Sequence, residues 1–466
     1  MLANQSVYLL GIGGIAMANV AILLRQAGFE VSGSDQSIYE PAASLLRRAD
    51  IAAATPYSTA NLPTDGRTTV IVGNVHSRGH IEVEEALNRN LPLESFPAFL
   101  RRTVMAGKRR IVIAGTHGKS TTTACMTHLL HDAGRDPSYL IGADPLDLPF
   151  GGGCGSGREF VIEGDEYDSA FFDKRSKFLD YFPHILLLGR VEHDHLDIFP
   201  TLEDMLLSYR RLVAQLPAAG TLVVAADSPH ALALAAASPC PVIKVSADEN
   251  SDYILRGRDL QLPRGDLVKD FSPGVLGDHN RLNVAMSIAG AIALGVETSL
   301  VLAAAQSYRG IKRRLELLYR SDTLLVYDDF AHHPTAIAAA LHAVRETYPG
   351  HHLIAVFEPR SNTAVRNKYQ DDFRAALAHA DEVILGSVHR REKIPLAEVV
   401  DTLRMCAELT SCGVPAVDCS NEELASCLLA RNIALPTVVL FMSNGAFGGA
   451  STRFVAGLQS QHSITA

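Results

Sequence analysis

At 466 residues and a formal net charge of -9, the chain is too long for a single hydrophobic core and too acidic for a broad nucleic-acid-binding face. Hydrophobic residues at 47% and charged residues at 20% exclude a disordered or fibrous chain and fit a globular enzyme of two or three domains. Seven cysteines without a CxxC pair are too few for a disulfide scaffold, so a reducing cytoplasm is the expected compartment.

Residues 7–24 carry no charge and have the length of a signal sequence or membrane span. The first basic residue, Arg25, follows the apolar run, and three glycines stand where a strand would turn into a helix. The expectation is therefore a buried strand at 7–10, a tight turn at Gly11-Ile12-Gly13-Gly14, and a helix at 16–26, with no membrane partner. Gly11, Gly13 and Gly14, with Ala16 in the last glycine position and Asp35 after the next strand, match a dinucleotide fingerprint. That pattern supports a nucleotide or nucleotide-sugar pyrophosphate at the turn without choosing NAD, and a turn needing small residues only for packing is its bland alternative. A further apolar strand at 69–72 continues an alternating pattern, and this first unit ends near residue 108.

The alternation restarts with a strand at 110–114, the loop Gly115-Thr116-His117-Gly118-Lys119-Ser120-Thr121-Thr122, and a helix at 119–132. Backbone N–H groups in such a turn bind phosphate oxygens, and the following lysine reaches the terminal phosphates. The residue five before Gly118 is Ile113, so this is a shortened G-x-x-G-K-[ST] loop. In that role Lys119 bridges the β- and γ-phosphates and Ser120 offers its hydroxyl to magnesium. Strands at 160–163 and 184–188 each end in acidic or histidine residues: Glu163-Gly164-Asp165-Glu166-Tyr167-Asp168, and Glu192-His193-Asp194-His195-Leu196-Asp197. In open parallel sheets ligands sit at those ends. Glu163 is a magnesium-ligand candidate there, although four acids in six residues also read as a solvated loop. His193 and His195 lack the third histidine or cysteine of a closed zinc site, which leaves a magnesium ligand or a structural histidine. Glycines 151, 152, 153, 155 and 157 mark a loop.

Gly277-Asp278-His279-Asn280-Arg281-Leu282-Asn283 opens an alanine-rich helix, where the asparagines serve either as base or ribose contacts or as ordinary caps. Lys312-Arg313-Arg314 and Tyr327-Asp328-Asp329-Phe330-Ala331-His332-His333-Pro334 suit a second anionic site, or a solvated basic run and a strand-end turn. From about residue 323 strands at 324–327, 353–357, 382–385 and 438–441 begin a third α/β unit.

In this order the elements resemble the Mur ligases, ATP-dependent enzymes that build the cell-wall peptide, over essentially the whole chain. The resemblance rests on GTHGKSTT, on Glu163 and His195 at the magnesium ligands, on Gly277 to Asn283, and on Asp329 to Pro334. It implies a Rossmann-like UDP-sugar domain at 1–108, a P-loop ATPase-like central domain at 109–313 and a Rossmann-like acceptor domain at 314–466. The ATP site implied comprises Gly115, Thr116, His117, Gly118, Lys119, Ser120, Thr121, Asn280, Asn283, Arg314 and Asp329, with Lys119, Glu163 and His195 catalytic and Ser120, Glu163 and His195 holding Mg2+. The UDP-sugar site implied comprises Gly11, Gly13, Gly14, Ile15, Asp35, Asn74 and Arg78.

Four stretches, at 166–178, 313–317, 357–363 and 442–449, resemble the branch of the family that joins UDP-N-acetylmuramate to the murein tripeptide L-Ala-γ-D-Glu-meso-diaminopimelate in peptidoglycan recycling. Arg360, Ser361, Asn362 and Asn444 are the candidate peptide readers, since arginine and amides grip carboxylates. The alternatives are the branch that uses L-alanine, and a non-catalytic binder of UDP-muramyl peptides; a nicotinamide oxidoreductase would leave the ATP loop unexplained. A monomer or weak homodimer is expected. Two positions depart from the family: Gly189-Arg190 stands where asparagine is usual, and Gly164 where alanine is usual.

Overall fold

A computed structural model describes residues 5–194, 198–271, 273–431 and 435–465. His195 lies outside them. The chain divides into two compact units, one comprising residues up to His193 with Ile198–Gly274 and Leu282–Ile311, the other Val275–Arg281 and the chain from Lys312 onward, with Asp194.

In the first unit, β1 (Ser6–Leu10), β2 (Glu30–Ser34), β3 (Ala52–Ala54), β4 (Thr69–Val72) and β5 (Leu93–Ser95) form a parallel sheet in the order β3-β2-β1-β4-β5. The apolar run that follows the Gly11 turn is the helix Ile15–Gln26, whose residues 17–24 are all buried. Its lack of charge thus reflects packing on the sheet. Leu10 pairs with Ser34 and with Val72, so Gly11, Asp35 and Gly73 emerge side by side at one sheet edge.

Glu82 explains how a short, small-residue sheet is held. Its side chain is fully buried and accepts hydrogen bonds from Ser34 (2.5 Å), Tyr8 (3.4 Å), the Ser58 N–H (2.8 Å) and Asn61 (3.0 Å), linking two strands to the loop after β3. Removing one acceptor strands several donors, each worth ~1–3 kcal/mol when buried. Glu82→Ala is therefore expected to lower unfolding free energy by about 3 kcal/mol, read as a lower denaturant midpoint.

The second sheet of this unit contains β6 (Arg109–Ala114), β7 (Ser138–Leu140), β8 (Gly152–Gly153), β9 (Glu159–Glu163), β12 (Ile185–Leu188), β13 (Thr221–Ala225), β14 (Val242–Ser246), β15 (Tyr253–Arg256), β16 (Asp259–Gln261) and β17 (Leu267–Val268). The order is β17-β16-β15-β14-β13-β12-β6-β9-β7-β8, with β8, β16 and β17 antiparallel at the margins, and a separate hairpin pairs β10 (Asp168–Ala170) with β11 (Asp173–Ser176). The glycine run expected as a loop is thus partly a strand. A Cβ at Gly151 or Gly152 would strike Asn19 of the first helix, and Asn19 Nδ2 donates to Ile141 O at 3.1 Å, so the glycines let the two sheets approach.

The second unit holds a sheet in the order β18-β19-β23-β20-β21-β22, built from β18 (Glu316–Arg320), β19 (Leu324–Asp329), β20 (His352–Phe357), β21 (Glu382–Leu385), β22 (Ala416–Asp418) and β23 (Thr437–Met442). All pairs but β18·β19 are parallel. Met442 pairs with both Asp329 and Phe357, so Phe330, Glu358 and Ser443 leave the sheet at one edge.

Candidate functional site

Register also assembles the central site. Ile113 pairs with Glu163 and Ala114 with Leu188, which brings Gly115, Gly164 and Gly189 out at the same strand ends. Gly118 then opens the helix Lys119–Asp132 in the left-handed region, with φ of 77°. A Cβ there would also lie 2.5 Å from Asn283 Oδ1, so a glycine is required on two counts.

Around this turn the polar side chains converge. Ser120 Oγ donates to Glu163 Oε1 at 3.0 Å, and Glu163 Oε2 accepts the Gly142 N–H at 2.9 Å. Burial pushes the Glu163 carboxyl upward, against the pull of Lys119. Lys119 Nζ donates to Glu166 Oε2 at 2.7 Å and to Gly115 O at 2.8 Å. Its burial disfavours the cation, but the carboxylates of Glu166, Asp165 and Glu163 outweigh this and hold the ammonium above its ordinary pKa. Two oxygen donors 3.0 Å apart suit a hard divalent cation, and a charged lysine beside them suits a polyphosphate.

The loop is braced by the segment after β12. Thr116 N–H donates to Arg190 O (2.7 Å), Thr116 Oγ1 donates to Glu192 O (2.9 Å), and the His117 ring meets Glu192 Oε2 at 2.9 Å. At Arg190 it is therefore the main chain that engages the loop, and the arginine side chain pairs with Asp227 instead. This is a physical reason why Gly189-Arg190 need not disturb the turn. Gly164 in turn has Val112 Cγ1 at 2.9 Å from a would-be Cβ, so the smaller residue relieves a tight contact. Thr121 contributes its carbonyl to the Tyr308 hydroxyl at 2.9 Å.

At the first sheet, Gly13 N–H donates to Asp35 Oδ2 at 2.9 Å, and Gly14 starts the helix without a side-chain cap, with Ile15 as its first residue. An uncapped helix start favours an anion. Asn74 lies in the turn after β4, and Arg78 is engaged by Glu84 through two contacts of 2.9 and 3.0 Å. Sequence reasoning missed Tyr57 and His76 here. The Tyr57 hydroxyl meets His76 Nε2 at 3.3 Å, and a Cβ on Gly11 would lie 2.5 Å from that nitrogen, yet neither residue belongs to a motif.

In the second unit, Asp329 accepts the N–H groups of Leu315 (2.8 Å) and Ala331 (2.7 Å), and burial raises its pKa. Arg314 lies over the Phe330 ring at 5.1 Å, and Asn280 Nδ2 donates to Leu276 O, just before its helix, at 2.8 Å. Burial pushes Asp328 up to about 6 although Arg313 Nε donates to it at 3.0 Å. Arg313 also donates to Ser443 O at 2.7 Å and to Gly445 O.

Glu358, absent from the sequence-level candidates, organises the acceptor candidates. It is buried and accepts from Ser443 Oγ (2.5 Å), Asn421 Nδ2 (2.8 Å) and Phe447 N–H (3.3 Å), with Arg360 Nη1 at 3.7 Å. Arg360 lies where a Cβ of residue 445 would be, so Gly445 admits it. Asn444 Oδ1 is buried with no hydrogen-bond partner among the described residues. Ser361 Oγ instead accepts the Ala364 N–H at 3.0 Å, and Asn362 is exposed.

Comparison with known proteins matches three consecutive family segments: "Mur ligase family, catalytic domain" at 6–108, "Mur ligase middle domain" at 113–291 and "Mur ligase, glutamate ligase domain" at 313–445. The chain is 35% identical to the UDP-N-acetylmuramate–L-alanyl-gamma-D-glutamyl-meso-2,6-diaminoheptandioate ligase of Escherichia coli, covering 97% of this chain and 98% of the relative. The Haemophilus influenzae enzyme of the same name is 34% identical, covering 96% and 97%. The crystal structure of a murein peptide ligase from Psychrobacter arcticus aligns with a TM-score of 0.73 at 30% identity, covering 97% of this chain and 98% of that one. With consecutive catalytic, middle and glutamate ligase segments and relatives matched from end to end, the chain belongs to the Mur ligase family, in its three-domain α/β architecture.

Proposed function

We propose that the chain uses ATP to join the lactyl carboxylate of UDP-N-acetylmuramate to the amino group of L-alanyl-γ-D-glutamyl-meso-diaminopimelate, releasing ADP and phosphate. The observation that carries this reading is the convergence of Lys119 with the Ser120–Glu163 pair at one strand edge, in a chain matching a ligase of that name over 97% of its length. A carboxylate is a poor acylating agent until one of its oxygens can leave as phosphate. Phosphoryl transfer from ATP therefore comes first, and the peptide amine then attacks the acyl phosphate.

In this reading the Gly115–Thr121 turn and Asn283 orient the triphosphate, Lys119 compensates charge on the transferring γ-phosphoryl, and Asn280, Arg314 and Asp329 are proposed nucleotide contacts of the second unit. Ser120 and Glu163 supply oxygen ligands of the kind Mg2+ prefers, and His195 is the third proposed ligand. When bound, that ion neutralises developing phosphate charge. Gly11, Gly13, Gly14, Ile15, Asp35, Asn74 and Arg78 would hold the UDP-sugar, and Arg360, Ser361, Asn362 and Asn444 the peptide. The domain boundaries proposed are 1–108, 109–313 and 314–466. A cytoplasmic setting is supported by the free state of all seven cysteines, and no helix among the described residues is long and apolar enough to cross a membrane.

The test is phosphate release with UDP-N-acetylmuramate and ATP, comparing L-alanine with the tripeptide as acceptor. Release with the tripeptide is expected. Release with L-alanine alone would move the chain to the other branch, and UDP-sugar binding without any release would make it a binder.

A further inference from the structure

The lysine of the phosphate loop has a partner that the proposed chemistry does not use. Lys119 Nζ donates to Glu166 Oε2, and the other oxygen of the same carboxylate accepts the Tyr209 hydroxyl at 2.5 Å. Both Glu166 and Tyr209 are buried, at 1% and 0% exposure, so this chain of hydrogen bonds is shielded from water. Tyr209 is held firmly. It sits on the helix Leu202–Val213, which begins with a reciprocal Thr201–Asp204 capping box, and its ring packs against Phe178 at 5.3 Å.

We infer that Tyr209 is a positioning residue for the phosphate loop, setting through Glu166 how tightly Lys119 is held before nucleotide arrives and hence the affinity for the triphosphate. This rests on the reading of Gly115–Thr121 as the ATP turn. An ammonium has three protons, and Lys119 already directs them to Glu166, to Gly115 O and, at 3.4 Å, to Thr116 O. An incoming phosphate must compete with a buried carboxylate for that cation, and the same carboxylate repels the polyanion. The Tyr209 hydroxyl satisfies one oxygen of Glu166 without adding a charge. Remove it and the carboxylate leans on Lys119 more strongly. Neutralise the carboxylate and the lysine is released to the phosphate.

The two substitutions therefore move affinity in opposite directions. Binding of the non-hydrolysable analogue AMP-PNP with Mg2+, measured by calorimetry on the full chain, should weaken about fivefold in Tyr209→Phe and tighten about fivefold in Glu166→Gln. Tyr209→Phe should add little on the Glu166→Gln background, because its effect travels through the charge. UDP-N-acetylmuramate affinity should be unchanged in all three. Tyr209→Phe keeps the ring, so the packing against Phe178 survives and the comparison stays within folded protein. Failure of the unmutated chain to bind AMP-PNP would overturn the ATP turn itself. Normal binding with no effect of Tyr209→Phe, an equal effect on both backgrounds, or weakening by both single substitutions would overturn the role of Tyr209.

Discussion

Lys119→Ala is expected to abolish phosphate release, by about 10³-fold or more in kcat, while leaving UDP-N-acetylmuramate binding nearly intact. The first effect follows from electrostatics: the lysine is the partly buried cation beside the Ser120–Glu163 pair, and no neutral side chain compensates a developing phosphate charge in its place. The second follows from topology. Lys119 follows β6 of the ten-stranded sheet, whereas the Gly11 turn follows β1 of the five-stranded sheet, and the hydrogen bonds of Lys119 run to Gly115, Thr116 and Glu166 rather than to that turn. Because truncating one member of a buried ion pair costs ~3–5 kcal/mol, Lys119→Met, which keeps the apolar stem, should accompany it. Calorimetric titration with the UDP-sugar and a phosphate-release assay on both variants decide the matter. Equal loss of the two activities would sink the assignment of separate sites.

Arg360→Ala should raise the apparent KM for the tripeptide about 100-fold, the worth of a charge-assisted contact to a peptide carboxylate, and leave AMP-PNP affinity unaltered. The guanidinium is not loosely placed. Glu358 stands 3.7 Å from it, itself fixed by Ser443, Asn421 and the Phe447 amide, and Gly445 leaves it room. Gly445→Ala should therefore reproduce the acceptor defect by displacing Arg360 without removing it. Tripeptide use that survives Arg360→Ala undiminished would count against a role in acceptor recognition.

The chemistry legible in the sequence was of one kind: groups whose partners are near in the chain or fall at a strand end. An apolar run followed by glycines and a helix-forming stretch specifies strand, turn and helix locally, so the turns at Gly11 and Gly115 were readable, as were the acidic ends of the two neighbouring strands. Even the uncharged run at 7–24, which has the length of a membrane span, was recognisable by its glycines as a strand, a turn and a helix packed on the sheet.

What no local pattern could show was which acid meets which base. Glu166 was one of four acids in six residues until the fold set it between Lys119, 47 positions away, and Tyr209, 43 positions away. Glu358 and Ser443 meet across 85 positions, and Arg313 reaches Ser443 across 130. Strand register brings these residues together, through the pairing of Met442 with both Asp329 and Phe357 and of Ile113 with Glu163. The sequence by itself determined the α/β elements and the glycine turn ahead of Lys119, because both are encoded by periodicity and glycine spacing. Only the tertiary structure decided the partners of Lys119 and Arg360, because the buried carboxylates Glu166 and Glu358 take their partners from whatever the sheet order carries to the same edge.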